Sequence, residues 1–224
     1  MRVKGVIFDF NGTMFLDSPL HEQAWIDMAK KLRSEPLGVE EFYVNLQGRT
    51  NLQIITYLLG RTPSNDELTA ITEEKELLYR TRCKSPEGLH SLAPGVEVFL
   101  NMLKNTNLPF TIATGSYKPN VEFYFSHLGL DRWFNFDDVI YDDGTYPGKP
   151  APDIFIKAAE KIGVSTAECL VFEDSYAGIA AAIAAKIGRI VTVEESLNIK
   201  KVEQIGGVFA MVNGFNNLNN SILL

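Results

Sequence analysis

The sequence predicts an α/β fold, in which a doubly wound parallel sheet carries an all-helical segment inserted after its first strand. Two observations lead to this prediction. Over most of the chain, short apolar runs alternate with amphipathic stretches of helical spacing. Residues 16–88, in contrast, contain helical patterns and no convincing strand. Alternating strands and helices imply crossover connections and a parallel sheet with helices on both faces.

The first strand is predicted in the apolar run Val3–Phe8, and later runs share its richness in Val, Ile and Phe. Gly, Pro or acidic residues bound them, as is typical of buried parallel strands. The later runs are Phe110–Ala113, Cys169–Phe172, Arg189–Val193 and Val208–Val212. Apolar residues at three- and four-residue spacing predict the connecting helices. These helices are Val96–Lys104, Pro119–Leu128, Pro152–Ile162 and Ala177–Ala185.

The inserted segment is predicted to form a helical domain of its own. Its helical patterns are His21–Leu32, Glu40–Leu46, Asn51–Leu59 and Asp66–Arg82. The α/β pattern resumes after them, so we expect a core domain of residues 1–15 and 89–224 and a cap domain of residues 16–88. A helical insertion in a doubly wound domain is a candidate cap over the site.

Composition and charge exclude several classes of function. The 224 residues carry a net charge of −7 without a block of Lys or Arg, so we expect no nucleic-acid partner. No apolar run reaches the length of a membrane span, and the N-terminal run is too short for a signal peptide. We therefore expect a cytoplasmic protein. Cys83 and Cys169 lack CxxC spacing and are expected to be reduced, and the three histidines lack zinc-ligand spacing.

Polar side chains gather where the predicted strands end, which is where such sheets bind ligands. Asp9 ends the first strand, Thr114-Gly115-Ser116 the second and Glu173-Asp174 the third. Carboxylates at positions 9 and 174 would repel each other without a cation, and their hard oxygens suit Mg²⁺. We expect them to lie within two Mg–O bond lengths of ~2.0–2.1 Å each, plus some slack without metal. The carbonyl of residue 11 is a further candidate ligand. Glu173 is either a ligand or orders a metal-bound water.

A phosphoryl group is the ligand that the remaining residues favour. The Thr114 hydroxyl and the backbone N–H groups after it could bind phosphoryl oxygens, and Lys149 supplies a point positive charge. Positioning and charge neutralisation are what phosphoryl transfer requires. Each element alone is commonly a turn or a helix cap, so the prediction rests on their joint, ordered occurrence.

The ordered motifs VIFDFNGT, TIATGS, GKPAPDIF and VFEDSYAGIAAA resemble those of the haloacid dehalogenase superfamily of phosphohydrolases and phosphomutases. SPLHEQAW, with His21, and LQGRTN, with Gly48, are most similar to the β-phosphoglucomutase-like branch with a small helical cap. The resemblance implies a Rossmann-like core and an Asp9 nucleophile that becomes an aspartyl phosphate. It implies Mg²⁺ held by Asp9, the Asn11 carbonyl, Glu173 and Asp174. Thr114, the Gly115-Ser116 segment and Lys149 would bind the transferring phosphoryl group.

Departures from the family pattern bear on function. Asn11 stands where the family has the Asp that gives and takes a proton, and Gln47 and Asn51 stand where β-phosphoglucomutase has Lys and Arg. Arg49 is either a ligand for a distal phosphate or a surface arginine. His21 either makes a hinge hydrogen bond or replaces the missing acid–base group.

These departures favour a Mg²⁺-dependent phosphatase of a small phosphorylated metabolite, of sugar or polyol type, over a β-phosphoglucomutase-type mutase. A catalytically impaired phosphometabolite-binding or regulatory protein is the alternative from another class, and Asn11 could also be an engineered substitution. A dehalogenase is disfavoured because those enzymes need no metal, whereas Glu173-Asp174 is typical of a metal site.

Overall fold

A single parallel sheet of six strands organises the chain, with strand order β3-β2-β1-β4-β5-β6. The computed structural model describes residues 2–193, 206–216, 218 and 220–224. The predicted doubly wound α/β fold is confirmed. Of the predicted core domain, residues 1, 194–205, 217 and 219 lie outside the described part of the chain. The strands are β1 Gly5–Phe8, β2 Phe110–Tyr117, β3 Ile140–Asp142, β4 Cys169–Glu173, β5 Arg189–Val193 and β6 Ala210–Val212.

The described residues form eight α-helices. The first four follow β1 in the inserted segment, and the other four precede β2, β3, β4 and β5 along the chain. The helices are α1 Ser18–Leu32, α2 Val39–Glu41, α3 Asn51–Leu59, α4 Asn65–Lys84, α5 Val96–Thr106, α6 Lys118–Leu128, α7 Asp153–Lys161 and α8 Tyr176–Ala184. A π-helical turn, Phe42–Leu46, continues α2. Capping boxes begin α3 at Thr50 and α4 at Ser64. No helix of the described residues is long and apolar enough to cross a membrane.

The inserted helices α1–α4 have an apolar cluster of their own, which includes Trp25, Met28, Ile55 and Leu58. All regular structure in residues 16–88 is helical, as the sequence predicts. A separate core is what an independent domain requires. The division at residues 15/16 and 88/89 stays a prediction.

Two features of the sheet differ from the sequence prediction. The edge strand β3 was not predicted, because it has three half-buried residues and ends in an aspartate. Strand β2 is longer than the predicted run Phe110–Ala113 and includes Thr114, Gly115 and Ser116, which were expected where the strand ends. The reason is the pairing with β3, which continues to Tyr117↔Asp142 after a register shift.

Central strand β1 holds the candidate site in the middle of the sheet. Phe8 pairs with Ile112 of β2 on one side and with Phe172 of β4 on the other. The rings of Phe8 and Phe172 stack with centroids 5.2 Å apart and are fully buried. Burial of each such ring contributes about 1.5–3 kcal/mol. Asp9 and Glu173, which follow Phe8 and Phe172, therefore lie side by side at the ends of two tightly packed strands.

Candidate active site

Three buried carboxylates and one buried lysine meet at the carboxyl ends of β1 and β4. Asp9, Glu173 and Asp174 each place one oxygen within 4.8 Å of the others. Lys149 Nζ donates to Asp9 Oδ1 at 2.5 Å and to Glu173 Oε2 at 2.7 Å. The spacing is within the reach expected for a shared divalent ion when some slack is allowed.

The cluster has three carboxylates and one ammonium, so its negative charge is only partly balanced when the carboxylates are ionised. Burial, followed by the charge of Glu173, raises the pKa of Asp9 to about 7, although Lys149 opposes the shift. Burial, then Asp9 and Glu173, raises the pKa of Asp174 well above its usual range. For Lys149, burial works against the charged form, but the two bonded carboxylates outweigh it and raise the pKa. A cation bound here would offset the excess negative charge.

The donor set fits Mg²⁺. Asp9 and Asp174 offer hard carboxylate oxygens, and the Asn11 carbonyl follows Asp9 in the chain by two residues. Gly12, at φ +80°, makes the close approach of Asp174 possible, because a Cβ there would lie 2.0 Å from Asp174 Oδ2. Only glycine combines this backbone conformation with the required space.

Glu173 already binds several donors. Its Oε1 accepts hydrogen bonds from the N–H groups of Asp174 and Ser175 and from the Ser175 hydroxyl, and its Oε2 accepts from Lys149. Gly178 lies against it, since a Cβ at that position would be 1.9 Å from the carboxyl carbon. Both oxygens of Glu173 are thus engaged with protein donors, and it holds Lys149 in place. Its expected roles, as a direct ligand of the ion or in ordering a metal-bound water, stay predictions.

The side chain of Asn11 is fully hydrogen-bonded. Its Nδ2 donates to Asp17 Oδ2 at 2.7 Å and to the Tyr124 hydroxyl at 2.9 Å. Its Oδ1 accepts from Thr114 Oγ1 at 3.1 Å and Ser116 Oγ at 2.8 Å. Both amide hydrogens are therefore engaged, and neither is directed to a leaving group. The Thr114 hydroxyl, which the sequence predicts as a phosphate ligand, donates to this amide here, as does the Ser116 hydroxyl. The phosphate-binding role of Thr114 stays a prediction.

His21 is held between two charged side chains. Lys75 Nζ lies 2.7 Å from His21 Nδ1, and an ammonium can only donate, so Nδ1 is the acceptor. In the neutral ring, Nε2 then carries the hydrogen, and it lies 3.3 Å from Asp17 Oδ2. The ring stacks on Tyr79, whose hydroxyl also donates to Asp17. Lys75 is paired in turn with Glu76 at 2.9 Å.

A cavity of about 80 Å³ lies between the inserted helices and the sheet. One water needs roughly 10–15 Å³ on this measure, so there is room for several waters or a small polar group. The side chain of Arg49 lines the cavity, and its buried Nε has no hydrogen-bond partner among the described residues. The other lining residues include Asp9, Asn11, His21, Trp25, Phe42, Leu46, Gly48, Asn51, Lys75, Glu76, Gly115 and Ser116.

The segment from Gln47 onward closes over the carboxylate cluster. Gln47 Nε2 donates to Asp174 Oδ2 at 2.7 Å. Gly48 passes so close to Ser175 that a Cβ would lie 2.3 Å from its hydroxyl oxygen. The Gly48 carbonyl also lies 3.7 Å from the Cβ position of Gly115. The described structure is thus a closed arrangement of the two parts.

The structure brings together every residue that the sequence singled out, in two layers. Asp9, Asn11, His21, Gly48, Arg49, Gly115 and Ser116 line the cavity, whereas Thr114, Lys149, Glu173 and Asp174 are buried beside it. Sequence reasoning did not assign site contacts to Asp17, Gln47, Lys75 or Glu76. The sequence offered no signal for Lys75 and Glu76, because they continue the charged run Glu73-Glu74 and only their burial in the structure sets them apart.

Comparison with known proteins identifies the family. A family model described as haloacid dehalogenase-like hydrolase matches residues 3–186. The chain belongs to the haloacid dehalogenase-like hydrolases. Fructose-1-phosphate phosphatase YqaB of Escherichia coli is 31% identical over 82% of this chain and 93% of that protein. Hexitol phosphatase A of the same organism is 29% identical over 83% of this chain and 81% of its own.

Solved structures of haloacid dehalogenase-like hydrolases agree with the fold. A HAD hydrolase of family IA, variant 3, from Entamoeba histolytica is 38% identical, covers 99% of this chain and 97% of its own, and superposes with a TM-score of 0.86. β-Phosphoglucomutase from Clostridium difficile superposes with a TM-score of 0.79 over 98% of this chain and 95% of its own. At 24% identity it supports the fold alone.

Proposed function

We propose that this hydrolase is a Mg²⁺-dependent phosphatase that acts on a small phosphorylated sugar or polyol through an aspartyl-phosphate intermediate. The observation that carries the proposal is the cluster of Asp9, Glu173, Asp174 and Lys149 beside the cavity. The names of two relatives, a fructose-1-phosphate phosphatase and a hexitol phosphatase, support the substrate class. Residues 16–88 would act as a cap that opens to admit substrate.

In the proposed reaction, Asp9 attacks phosphorus, the bond to the sugar oxygen breaks, and water then hydrolyses the aspartyl phosphate. Mg²⁺, held by Asp9, Asp174 and the Asn11 carbonyl, would supply charge neutralisation for the phosphoryl group. Lys149 favours the ionised form of Asp9 through its 2.5 Å contact, against the effects of burial and Glu173, and carries positive charge next to the reacting atoms. Glu173 fixes the ammonium of Lys149 from the other side.

Asn11 limits the proton transfer in both steps. An amide cannot protonate the leaving alkoxide, and both of its hydrogens are already donated. General acid–base help is worth roughly 10²–10⁴-fold. We therefore expect ready turnover of activated esters, whose leaving groups need no proton, and slow turnover of sugar phosphates.

The test compares p-nitrophenyl phosphate and acetyl phosphate with fructose 1-phosphate and a hexitol phosphate, each with Mg²⁺ and with EDTA. Asp9→Asn is the inactive control. Turnover of the activated esters that requires Mg²⁺ supports the proposal. If no ester is hydrolysed and calorimetry detects tight binding of a sugar phosphate, the protein is the binding or regulatory alternative.

Two further results would change the assignment. Transfer of the phosphoryl group to a second hydroxyl of the sugar, instead of release as phosphate, would identify a phosphomutase. Hydrolysis of a sugar phosphate at an ordinary rate of about 1–10³ s⁻¹ would mean that another side chain carries the proton. His21 would be the first to substitute, because it lines the cavity next to Asn11.

Arg49 is proposed to bind a hydroxyl or a second anionic group of the substrate. Its buried Nε has no hydrogen-bond partner among the described residues. The two ammonium groups nearby are already paired, Lys75 with Glu76 and Lys149 with the carboxylate cluster. Arg49→Met should raise KM for a sugar phosphate and leave KM for acetyl phosphate, which has no sugar part, nearly unchanged. An equal rise for both would remove Arg49 from this role.

A further inference from the structure

One side chain of the inserted helices reaches directly into the candidate metal site. Gln47 directly follows the π-helical segment Phe42–Leu46 and is only 8% exposed. Its Nε2 donates to Asp174 Oδ2 at 2.7 Å, while the hydroxyl of Thr13 lies 3.2 Å from Asp174 Oδ1. The carboxylate of Asp174 is therefore held by one donor from the core and by one from the cap.

We propose that Gln47 is a positioning residue that couples closure of the cap to binding of the divalent ion. The inference rests on the proposed function, because it takes Asp174 as a ligand of Mg²⁺. A carboxylate has about four lone-pair sites, so Asp174 can accept both hydrogen bonds and still coordinate an ion. When the cap closes, the Gln47 amide fixes the orientation of the Asp174 carboxylate.

The chemistry of the amide suits this role. Asp174 lies next to two other carboxylates and is fully buried, so a donor is needed that stabilises it without neutralising it. The neutral amide of Gln47 adds a hydrogen bond and no charge.

The expected magnitude follows from outer hydrogen bonds to metal ligands in general. Loss of such a partner typically weakens metal affinity by about 10–100-fold. Coupling between two binding events is reciprocal, so the ion must favour the closed cap by the same factor that closure favours the ion. The two sides of this relation can be measured separately.

The main experiment is titration of the full-length protein with Mn²⁺, followed by electron paramagnetic resonance and calorimetry. Mn²⁺ prefers the same oxygen ligands as Mg²⁺. The variant is Gln47→Leu, and the matched control is Gln53→Leu. Gln53 also bridges cap and core, through the carbonyls of Lys149 at 3.1 Å and Gly148 at 3.4 Å, but it contacts no candidate ligand side chain.

We expect the Kd for Mn²⁺ to rise about 10–100-fold in Gln47→Leu and to change little in Gln53→Leu. Equal affinity in wild type and Gln47→Leu overturns the inference, and so does an equal loss in both variants, which would indicate a general effect of closure. Absence of Mn²⁺ binding in the wild type would instead refute the metal site of the proposed function. Gln47→Met replaces Gln47→Leu if circular dichroism shows that the latter is unfolded.

Hydrogen exchange measures the reciprocal side. Mn²⁺ should slow the exchange of backbone amides 47–50 in the wild type and in Gln53→Leu, and have little effect in Gln47→Leu. An equal slowing in all of them would contradict a role for the Gln47 side chain in the coupling.

Discussion

Replacement of Asp9 by Asn tests the electrostatic description of the site, because the change removes a charge and keeps the shape. Burial and the charge of Glu173 raise the pKa of Asp9 from 3.8 to about 7. One pKa unit corresponds to about 1.4 kcal/mol, so ionised Asp9 costs the folded state roughly 4 kcal/mol relative to the unfolded chain. This net value already contains the attraction of Lys149. The variant gives part of it back, because the Lys149 ammonium and the Phe10 N–H both donate to the carboxylate and an amide offers them one oxygen, and a buried donor left unpaired costs about 1–3 kcal/mol.

The net expectation is that Asp9→Asn stabilises the metal-free protein by about 1–3 kcal/mol above pH 7, or roughly 2–12 °C in Tm for a chain of this size. The folded state binds the Asp9 proton more tightly than the unfolded state does. Wild-type stability should therefore fall as pH rises from about 4 to about 7. The advantage of the variant should be small at pH 5 and complete at pH 8.

The assay is thermal unfolding in EDTA and in Mg²⁺ at pH 5, 6, 7 and 8, with Asp137→Asn as the control on an exposed carboxylate. A ligand at a hundred times its Kd stabilises the native state by about 2.7 kcal/mol, so Mg²⁺ should cancel or reverse the advantage at pH 8. A lower Tm of Asp9→Asn at pH 8 in EDTA, or a difference independent of pH, would refute the reasoning.

Three further substitutions test neighbouring parts of the site. Lys149→Met removes the ammonium that is bonded to two carboxylates, and breaking a buried ion pair costs about 3–5 kcal/mol. The variant should therefore unfold well below the wild-type Tm, and Mg²⁺ should restore part of the difference. Gly178→Ala puts a Cβ 1.9 Å from the carboxyl carbon of Glu173 and should lower Tm strongly. The control is Gly38→Ala, whose Cβ would have its nearest neighbour 3.9 Å away and should leave Tm unchanged. Similar Tm values for the two variants would contradict the packing argument. Asn11→Asp alone should lower Tm, because its carboxylate would face that of Asp17, which now lies 2.7 Å from the Asn11 amide. The double variant Asn11→Asp with Asp17→Asn should restore Tm and raise the rate of sugar-phosphate hydrolysis on the order of 10²-fold. An unchanged rate in the double variant would contradict the argument that Asn11 limits proton transfer.

The strand ends were predictable from sequence because their information is local. Asp9 and Glu173 each follow an apolar run, and parallel strands of one sheet end at the same edge. Gln47 could not be assigned in this way, since its contact with Asp174 spans 127 residues and depends on how the inserted helices rest on the core. Strand β3 was missed for a related reason: three residues at a sheet edge have too little periodicity to predict a strand.

The contacts of Asn11 explain why an amide is compatible with this site where a carboxylate would not be. The buried carboxylate of Asp17 already lies beside it and accepts hydrogen bonds from the Asn11 amide, the Gly12 N–H and the Tyr79 hydroxyl. An ionised group at position 11 would stand where the amide now lies, 2.7 Å from the buried carboxylate of Asp17, and a low local dielectric strengthens the repulsion. Asn11 instead joins Asp17 to the hydroxyls at the end of β2 without adding charge. The cost of this arrangement falls on proton transfer, which is why the comparison of activated and sugar phosphates is the decisive measurement for this protein.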